Sequence, residues 1–119
     1  MHVEIDKLPP NQGRLSVHVE VAADLNVSAF VARRKVTGIV ADEISTQMHG
    51  TEPTLVVGER ICWRVPICLS LPPTGDLGEV GSIDVDVETG QLEITEALIQ
   101  EIILRATELA NRTSHSTTK

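Results

Sequence analysis

The chain has almost no aromatic side chains: 119 residues include one Phe, one Trp and no Tyr. Pockets for small molecules are usually lined with apolar and aromatic side chains, and proteins that bind single-stranded nucleic acids stack bases on aromatic rings. Two scattered rings cannot form such a stacking surface. The composition therefore lacks the usual signature of a ligand pocket or of a base-stacking protein.

Long apolar runs and cysteines are scarce too. No run approaches the roughly 18 apolar residues that indicate a membrane-spanning helix, so we do not expect a membrane protein. The N-terminal segment MHVEIDK has neither the basic nor the apolar part of an export signal. Two cysteines are too few for a disulfide-stapled scaffold. Together these absences predict a cytoplasmic protein.

Positive charge is limited, with 10 Lys and Arg against 17 Asp and Glu and a net charge of −7. This balance disfavours nucleic acid as a partner, because binding a polyanion requires a basic field. The exception is one cluster, Arg33, Arg34 and Lys35, within a predicted helix. Three successive helical positions span about 200° of arc and cannot share one face. The cluster predicts a solvated flank, with an acidic partner or DNA as the alternatives.

Hydrophobic residues make up 41% of the chain, enough for one domain, which we place at residues 1–112. Alternating patterns predict strands, and a period near 3.6 predicts helices at 27–49 and 96–112. The strands are 2–6, 14–22, 54–57, 60–71, 80–88 and 92–94. Residues 72–79 predict a loop and 113–119 a disordered polar tail.

The resulting order β-β-α-β-β-(β)-α predicts an α+β fold, an antiparallel sheet with two helices packed on one face. Asp24 and Asn26 are candidate N-caps for the first helix and Thr95 for the second, and Gly50 stands where a helix-ending glycine is expected. Gly38 lies in the middle of that helix, where a close approach by another backbone would explain it.

The segment 60–71 has an unbroken apolar odd face with Trp63 near its middle, which predicts a core position for Trp63. Cys62 and Cys68 lie on the even face, and six residues of strand separate them by about 20 Å. They cannot bond to each other within one strand, so we expect two reduced thiols. A metal or a disulfide shared between two copies of the chain is the alternative.

If strands 60–71 and 80–88 form a hairpin, Arg60 and Arg64 share a face with Asp84 and Asp86. Such cross-strand ion pairs contribute a few tenths of a kcal/mol each. The D-x-D-x-E spacing from Asp84 resembles a calcium loop, but its glycine is misplaced and the distant Glu is missing. We therefore expect ion pairs here and no metal.

No catalytic pattern is visible in the sequence. The four histidines belong to four different segments, no serine sits in a nucleophile elbow, and no glycine-rich phosphate loop precedes a helix. Gly75, Gly78 and Gly81 are evenly spaced but do not precede a predicted helix. The sequence thus assigns no catalytic, cofactor-binding or metal-binding residue, and we predict no enzyme and no cofactor.

Residues 28–92 contain a predicted helix, then a strand with W-x-V (Trp63–Val65), then the sequence V-D-V-E-T-G-Q-L (Val85–Leu92). This arrangement resembles the PepSY-type module. In that family a helix precedes a hairpin that ends in a V-D-x-x-T-G-E/Q turn. The resemblance implies an inhibitory or regulatory module, similar to the related immunity-protein modules that bind toxins. It assigns no binding residue here.

We therefore predict a non-enzymatic protein-interaction module of inhibitor, antitoxin or regulatory-subunit type that forms a homo-oligomer, most simply a dimer. The C-terminal helix motivates the dimer, because its wide apolar stripe and Leu104 exceed what one sheet face can cover. A DNA-binding regulator and a small-molecule-binding domain are the alternatives. Candidate partner contacts are Arg33, Arg34, Lys35, Arg60, Arg64, Asp84 and Asp86.

Overall fold

The computed structural model describes residues 16, 18 and 20–117, with side chains up to residue 112. The elements are α1 (Ala29–Glu43), β1 (Met48–Gly50), β2 (Thr54–Val57), β3 (Ile61–Leu71), β4 (Gly75–Asp86), β5 (Leu92–Glu93) and α2 (Glu96–Thr117). All strand pairs are antiparallel: β1 and β2 pair with β3, β3 with β4, and β4 with β5. The predicted α+β class is confirmed.

The first helix begins later and ends earlier than predicted. Ser28, rather than Asp24 or Asn26, is the N-cap, and its hydroxyl accepts a hydrogen bond from Val31 N–H at 3.1 Å. The helix ends at Glu43, because Met48–Gly50 leaves it to pair with β3. The predicted helical range 27–49 was therefore too long at its C-terminal end.

Gly50 holds β1 against α1 instead of ending the helix. Its N–H donates to Thr37 Oγ1 at 2.9 Å, and its carbonyl accepts from Arg33 Nε at 3.0 Å. A Cβ added at Gly50 would lie 2.9 Å from Val65 Cγ1. At Gly38 a Cβ would meet nothing within 4 Å, so the expected close approach there was wrong. The close approach occurs at Gly50.

The hairpin between β3 and β4 is longer than predicted. Residues 72–74 form the turn and β4 begins at Gly75, so the predicted loop at 72–79 was mostly strand. The register shifts between Ile67 and Cys68 and again between Leu69 and Ser70. Each shift is a bulge, which changes the face to which the following β4 residues point.

The core lies between the sheet and the two helices. α1 packs on β1 and β3, whereas α2 packs on β4, where Gly81 allows the close approach of Ile102. A Cβ at Gly81 would lie 2.8 Å from Ile102 Cγ1. The fully buried side chains are Ala32, Val36, Val40, Val65, Ile67, Val80, Ile83, Val85, Val87 and Ile102.

Trp63 packs against this core as expected, but it is half-buried rather than a fully buried core residue. Its indole Nε1 donates to the carbonyl of Val27 at 2.7 Å, so it also ties the segment before α1 to the sheet. The predicted cap of the second helix is confirmed as well, because Thr95 Oγ1 accepts from Leu98 N–H at 3.1 Å.

The two ends of the chain differ from the prediction. The predicted strand 2–6 lies outside the described residues, and the described residues of the predicted strand 14–22 form no strand. α2 continues to Thr117, through residues predicted as a tail, and 118–119 lie outside the described range. Among the described residues, no helix is long and apolar enough to cross a membrane.

Candidate functional site

The basic cluster on α1 points in three directions. Arg33 Nε donates to the Gly50 carbonyl at 3.0 Å, and Lys35 Nζ donates to the Gly90 carbonyl at 2.7 Å. The Arg34 guanidinium lies over the Phe30 ring, 5.7 Å from its centroid. Two of the three cations therefore bind carbonyls of the fold itself, and the cluster does not form one continuous basic patch.

Arg64 and Asp84 form the predicted cross-strand ion pair. They are direct partners in the β3–β4 register, and Arg64 Nε lies 2.9 Å from Asp84 Oδ1. A second bond joins Arg64 Nη2 to Asp84 Oδ2 at 3.2 Å, so the pair is bidentate. Arg60 instead pairs with Glu93 on β5 at 3.6 Å, and both of these side chains are exposed.

Asp86 shapes the turn that follows β4 rather than pairing with Arg60. Its Oδ1 accepts from the backbone N–H groups of Glu88 at 2.8 Å and Thr89 at 3.0 Å. These backbone hydrogen bonds hold the pKa of Asp86 below its ordinary value, although burial opposes them. Asp86 is therefore a charged residue that stabilises the turn at Thr89 and Gly90.

Cys62 lies beside these acids on the same face of the sheet. It is the register partner of Asp86 and is buried. Burial raises the pKa of its thiol, and the negative charges of Glu93, Asp84 and Asp86 raise it further. The thiolate form of Cys62, which is the nucleophilic and metal-binding form, is therefore disfavoured.

At the other end of β3 the structure brings together three side chains that the sequence does not connect. His49 is the direct partner of Cys68 across β1 and β3, and Asp76 is the partner of Ser70 across β3 and β4. The candidate ligand atoms of His49, Cys68 and Asp76 all lie within 4.8 Å of one another. We call these three residues the His-Cys-Asp cluster.

The members of this cluster differ in exposure. Cys68 is buried, His49 is half-buried and Asp76 is exposed. The Ser70 hydroxyl donates to Asp76 Oδ1, and the Cys68 thiol contacts the Leu69 carbonyl at 3.6 Å. The cluster therefore runs from a buried thiol to an exposed carboxylate.

A surface cleft of about 470 Å³ adjoins the cluster. It is lined by His49 and Ser70 together with the β3–β4 turn and the segment before β1: Thr46, Gln47, Leu71, Pro72, Pro73 and Gly75. The imidazole of His49 is thus accessible from this cleft.

Sequence reasoning missed the cluster for an identifiable reason. Its residues come from three strands, and the predicted helix 27–49 and loop 72–79 removed His49 and Asp76 from the sheet. The two bulges that set the position of Asp76 leave no pattern in the sequence that would reveal their register.

A second groove, of about 300 Å³, lies on the helix side of the sheet, between the end of α1 and α2. The walls and floor include Ile44, Met48, Leu69, Leu71, Ile103 and Ala110. None of the lining residues that the structure describes carries a charge. We call this surface the interhelical groove, and Gln47 and Leu71 line both it and the cleft beside the cluster.

α2 confirms only part of the expected apolar surplus. Ile102 and Ala106 are buried, and Leu98, Leu109 and Ala110 pack against the core. Two large apolar side chains remain exposed, Ile103 at 38% and Leu104 at 61%. Ile103 lines the interhelical groove, and Leu104 is the next residue along α2. We call these two exposed residues the Ile103–Leu104 ridge.

Comparison of the chain with protein-family models, curated proteins and solved structures finds no significant match. Function is therefore argued from the described surfaces.

Proposed function

We propose that the protein is a non-enzymatic interaction module that acts as a homodimer through the interhelical groove and the Ile103–Leu104 ridge. The observation that carries this proposal is the uncharged groove with an exposed apolar ridge on its rim.

Charge favours this surface for self-association. Each copy carries a net charge of −7, so two copies repel each other wherever their acidic surfaces meet. A contact through an uncharged surface avoids this repulsion. The interhelical groove provides one, and burying it removes apolar side chains such as Ile44 and Leu71 from water.

The shape of the surface fits a two-fold dimer. In such a dimer the same patch occurs on both partners, and each residue contact is repeated by symmetry. A ridge beside a groove meets this requirement, because the ridge of each copy can enter the groove of the other. Leu104, exposed and one position after Ile103, is the side chain with most surface to lose.

We propose a regulatory or inhibitory role toward a second protein for this dimer, in the cytoplasm. The resemblance of residues 28–92 to PepSY-type modules supports the role, and the two unpaired thiols fit a reducing compartment. The exposed Phe30 and Arg34 on α1 and the exposed Arg60 are the contacts we assign to the second protein.

Light scattering on two matched variants tests the dimer. Leu104→Glu and Phe30→Glu each replace an exposed apolar helical residue, at 61% and 67% exposure, and each adds one negative charge. We expect about twice the 12.9 kDa chain mass for the wild type and for Phe30→Glu, and the single chain mass for Leu104→Glu.

Two results would overturn the proposed interface. A wild-type protein that stays monomeric at hundreds of micromolar does not use the groove for self-association. Dissociation by Phe30→Glu but not by Leu104→Glu would place the interface on α1 instead.

A further inference from the structure

We propose that His49, Cys68 and Asp76 bind a divalent metal ion of the zinc class, with a fourth coordination position open to the cleft beside His49. This site is independent of the proposed dimer, since it lies on the face of the sheet opposite the helices.

The strand register places the three donors together. Directly opposed residues of an antiparallel pair have their Cβ atoms about 5 Å apart, and His49 and Cys68 are such a pair. Cys68 and Ser70 share a face of β3, and Asp76 opposes Ser70. Three neighbouring strands therefore supply one donor each.

The distances are within reach of metal coordination. Zinc bonds of about 2.0–2.3 Å in a tetrahedral arrangement place ligand atoms roughly 3.3–3.8 Å apart. The donor atoms of the cluster all lie within 4.8 Å of one another, so closing the site requires side-chain movements on the order of 1 Å. Rotation of the exposed Asp76 and half-buried His49 can provide this.

The donor set selects the kind of ion. A thiolate and an imidazole suit zinc and similar transition metals, whereas calcium and magnesium require oxygen ligands. Binding would replace the weak contact of the Cys68 thiol with Leu69 O by a metal–sulfur bond and release the thiol proton.

Ser70 is positioned to orient the carboxylate ligand. Its hydroxyl donates to Asp76 Oδ1. Hydrogen bonds to ligating carboxylates fix their orientation, and their loss costs roughly 10–100-fold in metal affinity. Ser70 is thus a positioning residue, and Ser70→Ala should weaken the metal by about tenfold without removing a donor.

Cys62 provides an internal comparison. It lies on the same face of the same strand and is also buried, but its register partner is Asp86, whose Oδ1 binds two backbone N–H groups. Its thiol also has a raised pKa. Cys62→Ser is therefore the matched control for Cys68→Ser.

The test is a titration of the reduced, metal-free protein with Co²⁺, followed by absorption in the near ultraviolet, where thiolate-to-cobalt charge transfer appears. We expect a band that saturates at one equivalent for the wild type and Cys62→Ser, and no band for Cys68→Ser. His49→Gln and Asp76→Asn should weaken binding by more than about tenfold, whereas His18→Gln, at an exposed histidine outside the cluster, should not.

Circular dichroism of each variant confirms that it is folded, and added Zn²⁺ should displace the cobalt band. No band at stoichiometric Co²⁺ in the wild type would overturn the proposal. So would a band that survives Cys68→Ser or disappears in Cys62→Ser. A wild-type dimer without a cobalt band would reject the metal site and leave the proposed function intact.

Discussion

The two ends of β3 differ in what their side chains do, although each end has a buried cysteine near an aspartate. At the Cys62 end, Arg64 binds Asp84, Asp86 binds the turn and Trp63 binds Val27 O. These groups all have partners within the fold. At the Cys68 end, the donor atoms of His49, Cys68 and Asp76 lie within 4.8 Å of one another, and the interhelical groove lies on the opposite face.

If the proposed metal site forms, the two buried cysteines of β3 have different roles. A polar group whose hydrogen bonds are all made within the protein stabilises one structure. Several donor groups that converge on a common point can instead bind a ligand. We therefore assign stability to the Cys62 end and function to the Cys68 end.

The largest expected effect is at Trp63. Trp63→Ala should lower the free energy of unfolding by about 3 kcal/mol, because it removes core packing. Trp63→Phe keeps most of the packing but loses the bond to Val27 O and should cost about 1 kcal/mol. Chemical denaturation followed by circular dichroism measures both, and a near-zero cost for the alanine variant would contradict the stabilising role of this end.

Two glycines of the α1–β1 region should respond with opposite signs. Gly50→Ala should destabilise by about 1–3 kcal/mol, because its Cβ would press on Val65 and on the Arg33 carbonyl. Gly38→Ala should stabilise by up to about 1 kcal/mol, because the helix interior has open space there. Thermal denaturation distinguishes them, and the same sign for both would refute the close approach at Gly50.

A smaller effect on the free energy of unfolding is expected from Asp86 when the pH is lowered. Its pKa is lowered in the folded state, so its charge contributes stability above the ordinary pKa of 3.8. This contribution is lost as the pH falls through the lower folded-state pKa. The stability difference between wild type and Asp86→Asn should therefore shrink on acidification. A difference that stays constant down to acid unfolding would mean that the turn does not depend on the charge.

Much of the fold could be predicted because apolar alternation and helical period identify large elements. The core face of 60–71, the Arg64–Asp84 pair and the Thr95 cap all followed from local pattern. The three-residue strand β1 could not be predicted from local pattern, because Met48 lies four residues after Ile44 and continues a helical apolar stripe. Local period favours the helix there, and only pairing with β3 makes it a strand.

The candidate site was less predictable than the fold. His49, Cys68 and Asp76 meet only through strand pairing, and two bulges decide which β4 residue faces Ser70. A bulge changes the face of every residue beyond it. Without the register, Asp76 was one of two acids in the predicted loop 72–79, and its relation to Cys68 was hidden.

The most direct test of the functional assignment is X-ray absorption at the zinc edge of the protein loaded with one equivalent of Zn²⁺. The account predicts one sulfur neighbour at about 2.3 Å, from Cys68, and nitrogen and oxygen neighbours at about 2.0–2.2 Å. A shell of oxygen and nitrogen alone would show that Cys68 is not a ligand. Two sulfur neighbours would show that the metal joins two chains or recruits Cys62. Either spectrum, without sulfur or with two sulfur neighbours, would contradict the proposed site and the division between the two ends of β3.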